Sequence, residues 1–298
     1  MRVLCFGSLN IDYVYQVPCF VRKGETLAAT ELQSFSGGKG LNQSVALARA
    51  GIKTFHAGAI GEDGAFLAEE LRAAGVDTSF VACLHDVRTG HAVIQKTPEG
   101  DNCILLYGGA NRAVTHEQID RTLAHFSAPD VLVAQNEISE PGYLLERAKA
   151  RGMRIALNPS PMDETLRPLL PLSDFLLLNE IEASQLLGCD AHADPGDMAE
   201  ELRKSLPATA IVLTLGENGS IYAARDGMIR CPAERVTAVD TTAAGDTYTG
   251  FFLAGILNGF DAARAMRFAS AAAAIAVTRP GAAPSIPTRD EVLARVDA

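Results

Sequence analysis

Two glycine-rich turns contain the residues that could bind and transfer a charged group. The first covers residues 36–43, reads SGGKGLNQ, and precedes an apolar segment typical of a helix. Three glycines let the backbone approach a ligand closely and point free N–H groups at it, which suits a ligand with several oxygen atoms. An ordinary tight turn, with Gly51 as the C-cap of the helix, would explain the glycines but not Asn42 in the first helical turn.

The first turn lacks the features of two common nucleotide-binding motifs. Lys39 is followed by Gly40 and Leu41 rather than by Ser or Thr, so the turn is not a Walker A loop. A dinucleotide-binding GxGxxG would follow the first strand, where the chain instead reads GSLN at residues 7–10. This difference argues against a nicotinamide-dependent oxidoreductase.

The second turn covers residues 240–247, reads DTTAAGDT, and opens a helix predicted over residues 248–257. Small residues at a helix start expose unpaired N–H groups at the positive end of the helix dipole, where an anion is stabilised. Asp246 could simply be a carboxylate at the start of a helix. A carboxylate beside an anion-binding turn is also what phosphoryl transfer to a hydroxyl group requires, because one group must accept the proton while others stabilise the phosphoryl oxygens.

Alternating strand and helix patterns indicate the elements that position these turns. Strands are predicted at residues 2–7, 54–60, 130–134, 154–158, 174–178 and 210–214, and helices at residues 41–50, 62–74 and 180–187. Such alternation predicts an α/β fold with a mostly parallel sheet, and the nearly continuous apolar character of the strands predicts helices on both faces.

Two segments interrupt this alternation. Residues 13–32 and 88–107 read as short strands of alternating polarity joined by turns, and no long helix follows either segment. We interpret them as a small β flap that could close over a ligand. Edge strands of the main sheet are the alternative interpretation.

Composition and charge restrict the class of protein and its partners. The 298 residues are 48% hydrophobic, as in a folded soluble protein, and 26 Lys and Arg stand against 36 Asp and Glu, with no basic run. We therefore expect neither a nucleic-acid nor a membrane partner. Polar residues at Ser8 and Asn10 come too early for a signal peptide, which predicts a cytoplasmic protein. The six cysteines and six histidines are scattered and form no zinc-binding or redox motif.

The two turns together resemble the two signature regions of the ribokinase-like, or PfkB, carbohydrate kinases. Similar segments occur in the family's order at residues 7–12, 157–159, 179–182, 214–216 and 274–279, so the resemblance covers essentially the whole chain. It implies a single domain over residues 1–298, built as a three-layer α/β sandwich with a mostly parallel central sheet. It also implies a small β-sheet lid, inserted at about residues 12–35 and 88–107.

The resemblance also assigns roles to individual residues. Asp246 would be the catalytic base. The sugar hydroxyls would be bound by Asn10, Asp12, Gly38, Lys39, Asn42 and Glu137. ATP would contact Asn179, Thr214, Gly216, Gly219, Ala244, Gly245 and Ser270. Glu182, in an NxxE motif, would position Mg²⁺ through water. A K⁺ site would consist of Asp240, Thr242, Ala276, Arg279, Gly281 and Ser285.

The implied reaction is ATP-dependent phosphorylation of the primary hydroxyl of a small free sugar, with D-ribose as the first candidate. Another unphosphorylated sugar or a nucleoside remains an alternative acceptor, and a non-catalytic sugar or nucleotide sensor of the same fold remains an alternative function. A sensor would be expected to lose Asp246, which this chain retains. Lys39 is the only cation among the implied sugar-binding residues, which argues against a phosphorylated acceptor.

Three further features bear on the resemblance. Ala243 stands where many family members have glycine, and Pro280 removes a backbone donor within the implied cation loop. The exposed edges of the lid strands would permit a homodimer.

Overall fold

The computed structural model describes residues 1–296 and contains two β-sheets. In chain order the strands are β1 (Val3–Phe6), β2 (Asn10–Gln16), β3 (Glu31–Gly37), β4 (Thr54–Gly61), β5 (Asp77–Leu84), β6 (Gly90–Lys96), β7 (Asn102–Tyr107), β8 (Val131–Gln135), β9 (Arg154–Asn158), β10 (Phe175–Asn179), β11 (Ala210–Thr214), β12 (Ser220–Ala224) and β13 (Gly227–Cys231). Nine strands form the central sheet in the order β13-β12-β11-β10-β9-β8-β1-β4-β5. All of its pairings are parallel except those of β12 with β11 and with β13.

Helices cover both faces of the central sheet, as the apolar strands predict. They are α1 (Lys39–Arg49), α2 (Ala65–Ala73), α3 (His116–Leu123), α4 (Pro141–Ala150), α5 (Glu180–Leu187), α6 (Pro195–Ser205), α7 (Ala244–Leu257), α8 (Ala262–Val277) and α9 (Arg289–Val296). Alternate side chains of one strand belong to different cores: Val131 and Val133 pack with α1, α2, α7 and α8, whereas Leu132 and Ala134 pack with α3 to α6. The molecule is therefore a three-layer sandwich.

The second sheet has four strands in the order β3-β2-β6-β7 and is separate from the central sheet. Its strands come from the two segments that interrupt the βα alternation, so the prediction of a small sheet apart from the main sheet is confirmed and the edge-strand alternative is wrong. Strand alternation places Asn10 and Asp12 on one face of this small sheet and Tyr13 and Tyr15 on the other.

Three strands and several helix boundaries differ from the sequence prediction: α1 begins at Lys39 rather than at Leu41, and α2 covers Ala65–Ala73 rather than residues 62–74. Strands β5, β12 and β13 were not predicted. Helix α7 begins at Ala244 rather than at Tyr248, because the small residues of the second turn already have helical conformation. Asp246 consequently lies inside the helix. Within residues 1–296, no helix combines the length and apolar character that a membrane span requires.

Candidate active site

Helices α1 and α7 lie side by side and bring the two glycine-rich turns together. The absence of a side chain at Gly250 allows α7 to pack directly against Ala46 of α1, since a Cβ atom there would overlap the Ala46 side chain. Asp246 then reaches the first helical turn of α1. Its Oδ2 accepts a hydrogen bond from Asn42 Nδ2 at 3.0 Å, and its Oδ1 accepts one from Gln43 Nε2 at 2.9 Å.

Asp246 does not serve as a helix cap. The residue at the N-cap of α7 is Ala243, and no side chain caps the first turn. Ala243 has a φ of 59°, in the left-handed region that glycine adopts without strain. The free N–H groups of the α7 turn remain available to an anion.

Burial and neighbouring charges together set the protonation of the central carboxylate. Burial raises the pKa of Asp246, while the Lys39 ammonium and the hydrogen bonds from Gln43 and Asn42 lower it in part. Burial lowers the pKa of Lys39, but the charges of Asp246, Glu137 and Glu182 outweigh it, so the net shift is upward. A carboxylate whose pKa lies above its usual range is a stronger proton acceptor near neutral pH.

Several of the predicted sugar-binding residues meet at the carboxyl ends of β1 and β8. Glu137 Oε2 accepts hydrogen bonds from the hydroxyl of Ser8 and, at 3.2 Å, from the backbone N–H of Lys39. Burial and then the charge of Glu137 raise the pKa of Asp12 to about 7. Asn42 Oδ1 is buried and has no hydrogen-bond partner within the described residues.

Asn10 and Gly38 take part in chain packing at the same place. Asn10 Oδ1 accepts a 2.7 Å hydrogen bond from Asn111 Nδ2. Gly38 has a φ of 95°, and a Cβ atom there would lie 3.0 Å from the carbonyl oxygen of Ser8. The glycine is therefore required by the close approach of the turn to the segment after β1, independently of any ligand.

A cavity of about 800 Å³ lies beside the second turn. It is lined by six of the seven residues predicted to contact ATP: Thr214, Gly216, Gly219, Ala244, Gly245 and Ser270. Apolar side chains such as Val236, Ala273 and Val277 form much of its remaining wall. The cavity thus joins an apolar compartment to the N-terminal end of α7, an arrangement that suits a nucleotide base and its phosphates.

The seventh predicted residue, Asn179, lies outside the lining of this cavity and caps helix α5. Its Oδ1 accepts a 2.9 Å hydrogen bond from the backbone N–H of Glu182, and Glu182 Oε2 accepts a 3.0 Å bond from the backbone N–H of Asn179. This reciprocal capping box explains the NxxE spacing by itself. Glu182 is buried, yet its charge contributes to the raised pKa of Lys39 and therefore acts on the same site.

The residues predicted to bind a monovalent cation lie in two segments joined by Asp240. The Oδ1 of Asp240 accepts bonds from the backbone N–H and the hydroxyl of Thr242 at 2.9 and 2.6 Å, and its Oδ2 accepts one from the backbone N–H of Gly281 at 3.1 Å. Ala276 lies in the last turn of α8, and its carbonyl oxygen accepts a hydrogen bond of 3.0 Å from the backbone N–H of Arg279. Ser285 is buried and donates its hydroxyl to the carbonyl of Ala282. The guanidinium of Arg279 is bonded to Glu291.

Five polar residues of this region have no role that the sequence motifs indicate. They are Ser8, Gln43, Asn111, Gln135 and Asn158. One available signal was that Gln135 and Asn158 are the last residues of apolar parallel strands, whose carboxyl ends form the usual ligand site of such sheets.

Comparisons with known proteins agree with this geometry. A family model described as pfkB family carbohydrate kinase matches residues 1–289. The chain is 36% identical over 299 residues to the ribokinase of Staphylococcus aureus, with 98% of each covered, and 37% identical over 293 residues to that of Haemophilus influenzae, with 96% of this chain and 95% of the relative covered. The structure of Arabidopsis thaliana ribokinase complexed with ribose and ATP matches with a TM-score of 0.88 and 29% identity, covering 100% of this chain and 99% of that one. The chain belongs to the pfkB family of carbohydrate kinases.

Proposed function

We propose that the protein transfers the γ-phosphoryl group of ATP to the primary hydroxyl of D-ribose, forming ribose 5-phosphate. The observation that carries this proposal is the position of Asp246, a buried carboxylate held by Asn42 and Gln43 of the first turn while its own helix opens at the wall of the cavity. Both relatives named above are ribokinases, and the Arabidopsis enzyme was solved with ribose and ATP.

Asp246 is the proposed general base. A sugar hydroxyl placed beside it would lose its proton to the carboxylate while the hydroxyl oxygen attacks the γ-phosphorus in line and the bond to the β-phosphate oxygen of ADP breaks. The backbone N–H groups at the start of α7 would bind the phosphoryl oxygens, where negative charge is greatest during transfer. Lys39 adds a positive charge close to Asp246.

Proposed sugar contacts come from both sides of this base. Asp12 and Glu137 would accept hydroxyl hydrogen bonds, and Asn42, which also holds Asp246, is a further proposed contact. Because Asp12 belongs to β2 of the small sheet, a sugar bound to it would link that sheet to the main body. We therefore propose that the small sheet acts as the lid of the single domain and that sugar binding favours its closure.

Magnesium would enter with the nucleotide and neutralise charge on the phosphates when bound. Glu182 is the residue proposed to hold it through water, because its carboxylate is of the oxygen type that Mg²⁺ prefers and its charge acts on the same site. The loop around Asp240 and Thr242 combines one carboxylate with neutral oxygens, a donor set that fits a large singly charged cation, and we propose K⁺ there.

We also propose a homodimer formed through the small sheet. The face opposite Asp12 presents Tyr13, Tyr15, Leu32, Val93 and Tyr107 around a shallow depression, and Leu105 on the same face is 70% exposed. Two such faces related by a twofold axis would cover each other. A cytoplasmic location is proposed as well, because ATP is the co-substrate.

The test is ADP release with a panel of D-ribose, 2-deoxyribose, fructose, adenosine, inosine and ribose 5-phosphate. We expect the highest kcat/KM with D-ribose and a 5-phosphate product in ³¹P NMR. A higher value with a nucleoside or another free sugar would replace D-ribose as the acceptor. Absence of ADP release with every acceptor would support the sensor alternative.

A further inference from the structure

A chain of three amide side chains leads from Asp246 into the central sheet: Gln43 and Gln135 are buried, and Asn158 is half-buried. Gln43 is fully buried and donates two hydrogen bonds through Nε2, to Asp246 Oδ1 at 2.9 Å and to Asn158 Oδ1 at 3.1 Å. Its Oε1 accepts a bond of 2.6 Å from Gln135 Nε2. Both N–H groups and the carbonyl of this side chain are therefore in use.

The groups at either end of this series of amides determine which way the NH₂ and the oxygen of each amide point. An ionised Asp246 only accepts hydrogen bonds, so Gln43 must present its NH₂ group to it and its oxygen to Gln135. Asn158 donates Nδ2 to the carbonyl of Leu177 at 2.9 Å, which leaves Oδ1 for Gln43. Gln135 Nε2 also contacts Cys5 Sγ at 3.6 Å. Reversing the amide of Gln43 would place an oxygen against the Asp246 carboxylate and an NH₂ against an NH₂.

Strand register brings the two outer amides to Gln43. Gln135 and Asn158 are directly paired residues at the ends of the parallel strands β8 and β9. Gly7, after β1, leaves room for the Gln135 amide, because a Cβ atom there would overlap its Oε1. The ends of β8 and β9 thus bring both outer amides to Gln43 of α1.

One polar atom among these three amides has no hydrogen-bond partner. Gln135 Oε1 is buried and has no hydrogen-bond partner within residues 1–296, a condition that costs about 1–3 kcal/mol. The Gln135 amide keeps this orientation because its NH₂ is directed at Gln43. A purely structural glutamine would gain stability from a partner for its oxygen, so the orientation favours a role that depends on Gln43.

We propose that Gln43 is a positioning residue for phosphoryl transfer, which holds the carboxylate of Asp246 in the orientation that accepts the sugar proton, and that Gln135 and Asn158 fix the direction of the Gln43 amide. The inference rests on the proposed function and deepens it. Asn42 holds the other carboxylate oxygen, so with Gln43 in place rotation of the Asp246 side chain breaks two bonds.

The first experiment replaces Gln43 by Met and measures turnover against pH. The charged groups that act on Asp246 are Lys39 and Glu137, and Gln43 is one of the two amides that favour its ionised form. Gln43→Met should lower kcat by about 10- to 100-fold and shift the acid limb of the kcat profile to higher pH. The control is Gln118→Met, which removes a buried amide of α3 bonded to the carbonyl of Gly58; α3 packs on the face of the central sheet opposite α1 and α7. The control should leave the profile unchanged.

The second experiment combines Gln43→Met with Asp246→Asn. If Gln43 acts through Asp246, its replacement should change the residual turnover of Asp246→Asn by less than about threefold, because the base is already absent. A full additional 10- to 100-fold loss in the double variant, or an unshifted acid limb in the single one, would overturn the proposal. Near-normal turnover of Asp246→Asn alone would instead overturn the assignment of the base and with it the proposed function.

A third variant separates positioning from stability. Gln135→Met removes the donor to Gln43 together with the unsatisfied oxygen, so the melting temperature should stay within about 2 °C of the native protein while kcat falls several-fold. A lower melting temperature with unchanged kcat would show that the amide chain is structural only.

Discussion

The site has an acceptor side, around the first glycine-rich turn, and a nucleotide side, around the second, and the two sides use different parts of the chain. Around the first turn, side chains carry the chemistry: the carboxylates and amides are buried or half-buried, and most of them are bonded to one another. Around the second turn, backbone groups and small residues line an open cavity with largely apolar walls. The difference indicates that substitutions on the acceptor side should have specific effects, whereas the nucleotide side should tolerate many of them. Asp246 stands at the boundary between the two sides.

The largest effect is expected from replacing Asp246, which lies between the two sides. Asp246→Asn preserves the size of the side chain but removes the proton acceptor, so turnover should fall by about 10²- to 10⁴-fold while ATP binding stays nearly intact. Turnover assays and ATP titration check the two parts. Asp226→Asn, at an exposed residue of the turn between β12 and β13, is the matched control. Near-normal turnover of Asp246→Asn would exclude it as the base.

Substitutions at Asp12, Asn42 and Ser270 should distinguish the two sides through the KM values for sugar and for ATP. Asp12→Ala and Asn42→Ala each leave sugar hydroxyls without a partner, which costs about 1–3 kcal/mol, or roughly 5- to 150-fold in the KM for sugar. Asn42→Ala should also lower kcat, because Asn42 bonds Asp246. On the nucleotide side, Ser270→Ala removes only a 3.5 Å bond to the carbonyl of Pro232, and the KM for ATP should change by less than about threefold.

Steady-state kinetics with each substrate varied in turn measure these changes. If Asp12→Ala raised the KM for ATP more than that for sugar, Asp12 would belong to a nucleotide site and the division between the two sides would be wrong.

The sequence predicts some parts of the site better than others, and the reason is how close together in the chain the residues lie. Asp246 and the two turns are recognisable because glycines, a carboxylate and a helix start lie within a few residues of each other. The amide chain is not recognisable in this way, because Gln43, Gln135 and Asn158 come together only through the pairing of β8 with β9 and the rotation of α1 about its axis. The sequence does not indicate strand β5 because it begins with three polar residues, Asp77, Thr78 and Ser79, rather than with an apolar run.

A pH effect should appear on the acceptor side alone. Burial and the charge of Glu137 raise the pKa of Asp12 to about 7, so the protonated form dominates below that pH. Sugar hydroxyls that donate to Asp12 favour the ionised form, so the KM for sugar should rise toward tenfold per pH unit below about pH 7, while the KM for ATP should not follow. By linkage, the contribution of Asp12 to folding stability without sugar is highest below its ordinary pKa and is lost as the pH rises through about 7.

Kinetics at a series of pH values, compared with Asp12→Asn, check this expectation. The variant has no ionisable group at this position, so its KM for sugar should be higher and should no longer respond to pH in this range. A variant that kept the native pH dependence would assign the titration to another group.

The smallest effect is expected from potassium, which would act on the second turn only. A cation near Asp240 and Thr242 would steady the N–H groups at the start of α7 without adding a donor of its own. Loss of a whole oxyanion-type donor costs about 10²- to 10³-fold, so an ion that only orients such donors should change kcat by less than about tenfold. Asp240 already joins Thr242 to Gly281 through hydrogen bonds, and Pro280 stiffens the same loop, so the loop is largely ordered before the ion binds.

The measurement is turnover at constant ionic strength with tetramethylammonium replaced by potassium, and Asp240→Asn should abolish the response. Equal rates with both cations would show that this loop is held by its own hydrogen bonds and needs no ion.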